Sequence, residues 1–328
     1  MSVLSEAGSG LRKLENLVTF GDSWTDSGRM SYFIAHKGEA PPAGVPVPEI
    51  KATASGGLAW GQFVAKATGA AYQNYGISGA TVSNKIVSRY FDLIGQDFPS
   101  ILEYQIPAFE ADIASGTLYE NRAGDNTVYA IWIGTNDLGE NAMLTDDNAP
   151  GTTLTSFVEG VWKTIDHIHA AGGRHIVLLN AAPLELAPLY KASFSGPNKP
   201  TPKIAAEIEN KILQFTSSVN TMFEYGVPFQ LLIQKRWPGA SVSIFDTNTL
   251  LRDIFNNPAE YLEAPADNSG IYNVWDPVAG VDNKSTLPLA SFMWHDPLHP
   301  AERTLEVVAK EFIEVVRGKS KYGKAYTS

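Results

Sequence analysis

Leu17-Val18-Thr19-Phe20-Gly21-Asp22-Ser23-Trp24-Thr25-Asp26-Ser27-Gly28 is the stretch that decides the fold. Residues 17–20 read as a short buried strand that stops at Gly21, and polar residues crowd the turn after it. The same grammar recurs outward along the chain. Residues 58–67 read as a helix, and 71–75 as a strand that runs into Asn74-Tyr75-Gly76-Ile77-Ser78-Gly79-Ala80. Residues 128–133 read as the most apolar strand and end at Gly134-Thr135-Asn136-Asp137. Leu154, Val158, Val161, Ile165 and Ile168 share one helical face. Gly172-Gly173 stops that helix, and 175–179 is the next buried strand. Ile208, Ile212, Phe215, Val219 and Met222 predict a long amphipathic helix, followed by a strand over 241–245. Leu305, Val308, Ala309, Phe312 and Val316 predict the last helix, with Pro300 in its first turn.

Strands spaced by helices imply βαβ units, hence an α/β fold with a mostly parallel sheet and helices on both faces. Ligands in such folds bind beyond the carboxyl ends of the strands. Three polar or Pro/Gly-rich loops, 38–55, 193–203 and 264–285, read as insertions on one domain spanning residues 1–328. Loops of this length commonly serve as lids or binding walls.

Composition narrows the function classes. Of 328 residues, 44% are hydrophobic and 18% charged, which excludes a disordered or collagen-like chain. The net charge of −10 repels phosphate backbones and argues against a nucleic-acid partner. With no cysteine there is no disulfide framework, thiolate nucleophile or Cys-ligated zinc. The longest apolar stretch, 176–189, is broken by Asn180, Pro183, Glu185 and Pro188, so no stable membrane insertion is expected. The first residues lack the basic and apolar regions of a signal peptide. Either the protein stays inside the cell or a leader has been removed, and the sequence does not separate the two.

Four segments carry candidate chemistry, each beside a plainer explanation. Ser23, at a strand-to-helix turn, would present its hydroxyl at the carboxyl edge of the sheet, among backbone N–H groups suited to an oxyanion. A helix N-cap would use the same residues. The glycines of 74–80 permit close backbone approach to a ligand, or merely a tight turn. Asn136 offers a side-chain N–H to developing negative charge, or an Asx turn. Asp296 and His299, three apart in Trp294-His295-Asp296-Pro297-Leu298-His299-Pro300, would let a carboxylate orient and charge a general base. The alternative is a capping Asp beside an incidental His. A metal reading of His295, Asp296 and His299 also exists, but Pro297 breaks helical spacing and no further ligand cluster is evident.

Together and in this order, the segments resemble the GDSL, or SGNH, hydrolase family of esterases and lipases. The resemblance rests on Gly21-Asp22-Ser23, Gly79, Gly134-x-Asn136-Asp137 and Asp296-x-x-His299, which bracket almost the whole chain. The wider spelling of 18–24, 74–80 and 296–300 is similar to the fungal carbohydrate esterase family 16 acetylesterase branch. The resemblance implies a three-layer α/β/α sandwich, with Ser23 as nucleophile, His299 as base and Asp296 as its orienting acid. It implies an oxyanion hole from the backbone N–H groups of Ser23 and Gly79 and the Asn136 amide. The reaction would run through an acyl-enzyme on short-acyl esters, acetyl esters of carbohydrates among them, and would require no metal or organic cofactor.

Within that reading Asp22 and Asp26 support the turn, and His295 is a neighbour of the base. Trp24, directly after the nucleophile, is the candidate substrate-pocket wall, since aromatic faces stack on sugars; Trp132, in mid-strand, reads as core. Asn283-Lys284-Ser285 is a glycosylation sequon, meaningful only in a secreted chain. A lipase or phospholipase, an acyltransferase, and a non-catalytic binding module on the same fold remain alternatives. Acyl length, the alcohol half and oligomeric state are not legible in the sequence.

Overall fold

Strand β1 (Asn16–Gly21) is buried at every position, as an apolar strand must be when both faces of its sheet are covered. The computed structural model describes residues 11–191, 202–276 and 280–328. Helices α1 (Arg29–Ala35) and α2 (Trp60–Thr68) lead from β1 to β2 (Ala71–Asn74). A small hairpin, β3 (Tyr90–Phe91) and β4 (Gln96–Asp97), precedes α3 (Ile106–Ser115) and β5 (Thr127–Trp132). The short α4 (Thr135–Leu138) and long α5 (Leu154–Ala170) lead to β6 (His175–Leu179), and α6 (Pro202–Pro228) precedes β7 (Ser241–Phe245). Next come α7 (Thr247–Asn256), α8 (Pro258–Tyr261), β8 (Asp267–Ile271), β9 (Asn273–Asp276) and β10 (Val281–Lys284). Strand β11 (Phe292–Trp294), α9 (Glu302–Val316) and β12 (Gly323–Thr327) complete the chain.

The central sheet has the order β12-β7-β6-β5-β1-β2. Its first five strands in chain order pair in parallel, and β12 alone runs antiparallel, against β7. The chain steps from β1 outward to β2, then crosses back to β5 on the other side of β1. Right-handed crossovers therefore place α2 on one face and α3, α5 and α6 on the opposite one. Helix α9 packs against α2 and completes the first layer. The result is the three-layer α/β/α arrangement with a mostly parallel sheet. The direction of travel reverses between β1 and β5, and the crevice beyond their carboxyl ends is where such sheets bind ligands. No helix among the described residues is long and apolar enough to cross a membrane.

Aromatic side chains fill the sheet's faces. Phe20 stacks on Tyr75 at 5.4 Å and meets Phe109 edge-on at 5.4 Å. Another cluster joins Trp24, Trp60, Trp132 and Trp294, with Trp24 and Trp132 edge-to-face at 5.1 Å. Each such pair contributes about 0.5–1.5 kcal/mol beyond its buried area.

Most expected elements are present with shifted ends. The last helix differs in its start: Ala301 caps it, and Pro300 lies outside, bridged to Trp294. Loop 38–55 has no regular helix or strand, and Gly44 N–H donates to Asp112 Oδ1 at 2.7 Å to hold it down. Segment 264–285 is not a plain loop. It contains β8, which pairs with β11, and the β9–β10 hairpin. Its polar strands lie at the surface, where no apolar alternation is needed. Most of the expected loop 193–203 lies outside the described residues, and α6 begins at Pro202.

Candidate active site

The site begins with the glycine that ends β1. A Cβ on Gly21 would stand 2.3 Å from the Trp132 carbonyl oxygen, so only glycine lets β1 approach β5 this closely at its end. The Gln105 side chain continues the ladder there. Gly21 N–H donates to its Oε1 at 3.0 Å, and its Nε2 donates to the Gly21 carbonyl at 2.8 Å. The chain then folds into a tight turn, with the Thr25 and Asp26 N–H groups donating to the Asp22 carbonyl at 3.0 and 2.9 Å. Asp22 Oδ1 accepts from Trp24 N–H at 3.0 Å. Ser23 is held at the apex of the turn.

Two further side chains lock this turn to the loop after β2. Asp26 accepts from the N–H groups of Gly28 and Arg29, both at 2.9 Å, and through its other oxygen from the Ser78 N–H and hydroxyl, both at 2.9 Å. Asn74 Nδ2 donates to the Thr25 carbonyl at 2.7 Å. Asp26 thus supports the turn and also fixes where Ser78 and Gly79 sit.

The fourth segment arrives from the far end of the chain. Asp296 Oδ1 accepts from the N–H groups of Leu298 and His299 at 2.8 and 2.7 Å, which folds 296–299 back on itself. His299 Nδ1 lies 2.7 Å from Asp296 Oδ2, and its Nε2 lies 2.7 Å from Ser23 Oγ. With the carboxylate as acceptor, Nδ1 carries the proton and Nε2 is free to accept from the serine hydroxyl. Ser23, His299 and Asp296 are thereby brought into one relay across most of the sequence.

Gly79 has φ +83°, and a Cβ there would meet the Phe98 ring at 2.2 Å. Neither Ser23 N–H nor Gly79 N–H makes a hydrogen bond among the described residues. Asn136 Nδ2 donates one hydrogen to the Ala80 carbonyl at 2.9 Å, and its Oδ1 accepts from Arg89 Nη1 at 2.6 Å. An amide nitrogen carries two hydrogens, so one remains.

Burial opposes charge on His299, but Asp296, beside it and hydrogen-bonded to it, and Asp22 outweigh that and raise its pKa above the usual imidazole range. Burial likewise opposes charge on Asp296, yet His299 and two backbone N–H groups hold it below the usual carboxylate range. Nearby, burial pushes Asp22 up to about 6 against the pull of the Trp24 N–H. Burial pushes Asp137 up to about 7, although its Oδ1 accepts from Val82 N–H at 2.9 Å. Burial lowers His295, whose Nδ1 stands 4.0 Å from Asp296 Oδ2. No group of three His, Asp or Glu side chains among the described residues is gathered to hold a metal ion.

Trp24 requires a correction. It is 2% exposed, with its indole turned into the cluster of Trp132 and Trp294, so it offers no open face for a sugar. The turn that lifts Ser23 out of the sheet sends the next side chain back into the core. Sequence reasoning also missed Arg89, which touches Asn136 from beside a hairpin carrying no motif; its only signal was a lone arginine among apolar and aromatic neighbours.

The family model of GDSL-like lipases and acylhydrolases matches residues 17–312. The chain belongs to the GDSL-like lipase/acylhydrolase family. It is a GDSL-type serine ester hydrolase. An acetylesterase from Hypocrea jecorina is 43% identical over 94% of this chain and 90% of its own length. An acetylesterase from Thermothelomyces thermophilus is 26% identical over 92% of this chain and 88% of its own. Among solved structures, an acetylxylan esterase from Geobacillus stearothermophilus covers 93% of this GDSL chain and 94% of its own, at 16% identity and a TM-score of 0.39.

Proposed function

We propose that this protein hydrolyses short-acyl esters, acetyl esters foremost and those of carbohydrates among them, through an acyl-enzyme on Ser23. The observation that carries the reading is the relay of two 2.7 Å contacts from Asp296 through His299 to Ser23 Oγ. Ser23 Oγ attacks the ester carbonyl carbon while its proton passes to His299 Nε2. Asp296 keeps the other ring proton on Nδ1 and stabilises the imidazolium. The negative oxygen of the tetrahedral intermediate is received by the unpartnered N–H groups of Ser23 and Gly79 and by the remaining N–H of Asn136. Collapse expels the alcohol, which takes the proton from His299. Water then attacks the acyl-Ser23 carbonyl, delivers its proton to His299, and releases the acid as Ser23 recovers its hydrogen.

The acetyl preference draws on the two acetylesterase relatives, which match this chain along nearly its whole length. Substrates are small-molecule or carbohydrate esters, with no cofactor in the cycle. The test is hydrolysis of p-nitrophenyl acetate, butyrate and octanoate by wild type and Ser23→Ala, with a serine-directed phosphonate as label. Fast acetate turnover, reduced by about 10³-fold or more in the variant, with label on Ser23, is the expected result. A preference for octanoate would replace the acetyl reading with a lipase. Labelling without turnover would replace hydrolysis with acyl transfer. Neither turnover nor labelling would leave a binding module.

A further inference from the structure

In chain order the hairpin of β3 and β4 lies between Gly79 and Asn136, the two oxyanion candidates that come from outside the Ser23 turn. The residues that flank it are tied together, with Phe98 N–H donating to the Arg89 carbonyl at 2.8 Å. Phe98 lies flat on Phe91 at 4.6 Å and covers the bare face of Gly79. The Arg89 guanidinium sits 5.4 Å from the centre of the Phe98 ring. From there its Nη1 reaches Asn136 Oδ1 at 2.6 Å and the Gly79 carbonyl at 3.5 Å. One half-buried cation therefore contacts both the Gly79 loop and the Asn136 side chain. The carboxyl groups nearest it are those of Asp137 and Asp22, on the elements around it.

We propose that Arg89 is a positioning residue of the oxyanion hole, clamping Asn136 in one orientation beside the Gly79 loop and sharpening its amide as a donor. The proposal rests on the reading of Gly79 and Asn136 as oxyanion donors. Two physical effects support it. A short charge-assisted bond to the amide oxygen fixes which way the Asn136 amide faces and leaves its nitrogen, already donating to the Ala80 carbonyl, with one hydrogen to offer. Withdrawing electron density through that oxygen polarises the amide, so its remaining N–H binds an anion more strongly. A neutral ground-state carbonyl gains less from this than an oxyanion does, so the effect belongs in kcat rather than KM.

The test is a double-mutant cycle in the full chain with p-nitrophenyl acetate: wild type, Arg89→Met, Arg89→Lys, Asn136→Ala and Arg89→Met/Asn136→Ala. The expected result for Arg89→Met is a fall in kcat of about 10–100-fold with KM within about 3-fold, and partial recovery in Arg89→Lys. Asn136→Ala should lose about 10²–10³-fold, and adding Arg89→Met to it should cost no more than about 3-fold further. A double variant in which the two losses multiply overturns the clamp, as does Arg89→Met with kcat within about 3-fold of wild type. Should the methionine variant fail to fold, Arg89→Lys takes its place in the same cycle. Ser23→Ala is assayed beside them. Turnover retained there overturns the Ser23 reading itself, whereas turnover lost there with independent effects of Arg89 and Asn136 overturns the clamp alone.

Discussion

His299 lies between two partners, one 276 residues away in the sequence and the other three. Ser23 and Asp296 each lie 2.7 Å from one of its ring nitrogens. In the proposed mechanism only the neutral imidazole accepts the serine proton, so kcat/KM should fall as pH drops through the His299 pKa. Because Asp296 overcomes burial and raises that pKa, the acid limb should lie above the ordinary imidazole value of about 6.5. Removing the carboxylate charge in Asp296→Asn should move the limb to lower pH and reduce kcat by about 10³–10⁴-fold. pH–rate profiles of both proteins check this, and a limb that stays in place would detach Asp296 from the titration. At this scale the sequence offered candidate residues and not the directions of their side chains. Asp296-x-x-His299 needs only a local turn to meet, and that turn is built by the Asp296 carboxylate itself. Trp24 was misread because a residue's neighbours in sequence do not say which side of a turn its ring leaves by. Arg89 was missed because its partner, Asn136, is supplied by another strand.

Elements were legible in proportion to their burial. Strands over β1, β5, β6 and β7 and helices α5, α6 and α9 announce themselves because one or both faces must be apolar. Strand β12 did not, since its residues are half-exposed or exposed at a sheet edge. It nonetheless pairs all five residues with β7, from Gly323 opposite Phe245 to Thr327 opposite Ser241. Deleting residues 323–328 should strip that ladder and leave β7 as an open edge. At about 0.5–1.5 kcal/mol for each lost hydrogen bond, a destabilisation of about 3 kcal/mol and a Tm lower by about 5–10 °C are expected. An exposed edge also invites strand pairing between molecules. Calorimetry and size-exclusion chromatography of the truncated chain check both effects, and an unchanged Tm would make β12 a passive appendage.

At the scale of the whole molecule, buried residues from every layer join one cluster, from Leu17 in β1 to Tyr322 beside β12. We infer that residues 1–328 act as a single domain with the long segments as insertions. Heating should then give one calorimetric transition whose van't Hoff and calorimetric enthalpies agree, whereas two separated transitions would divide the chain. The sequence by itself determined the α/β class, the strand-ending polar turns and the residue types of the site. Those follow from periodic burial and from chemistry that each segment carries alone. Tertiary structure decided what those segments do to one another. The pairing of β1 with β5 brings the turn that holds Ser23 and the turn that holds Asn136 to the same end of the sheet, the return of the chain before α9 brings Asp296 and His299 to Ser23, and the β3–β4 hairpin sets Arg89 against Asn136. Such meetings depend on crossover handedness, sheet order and side-chain direction, which no local spacing in the chain encodes.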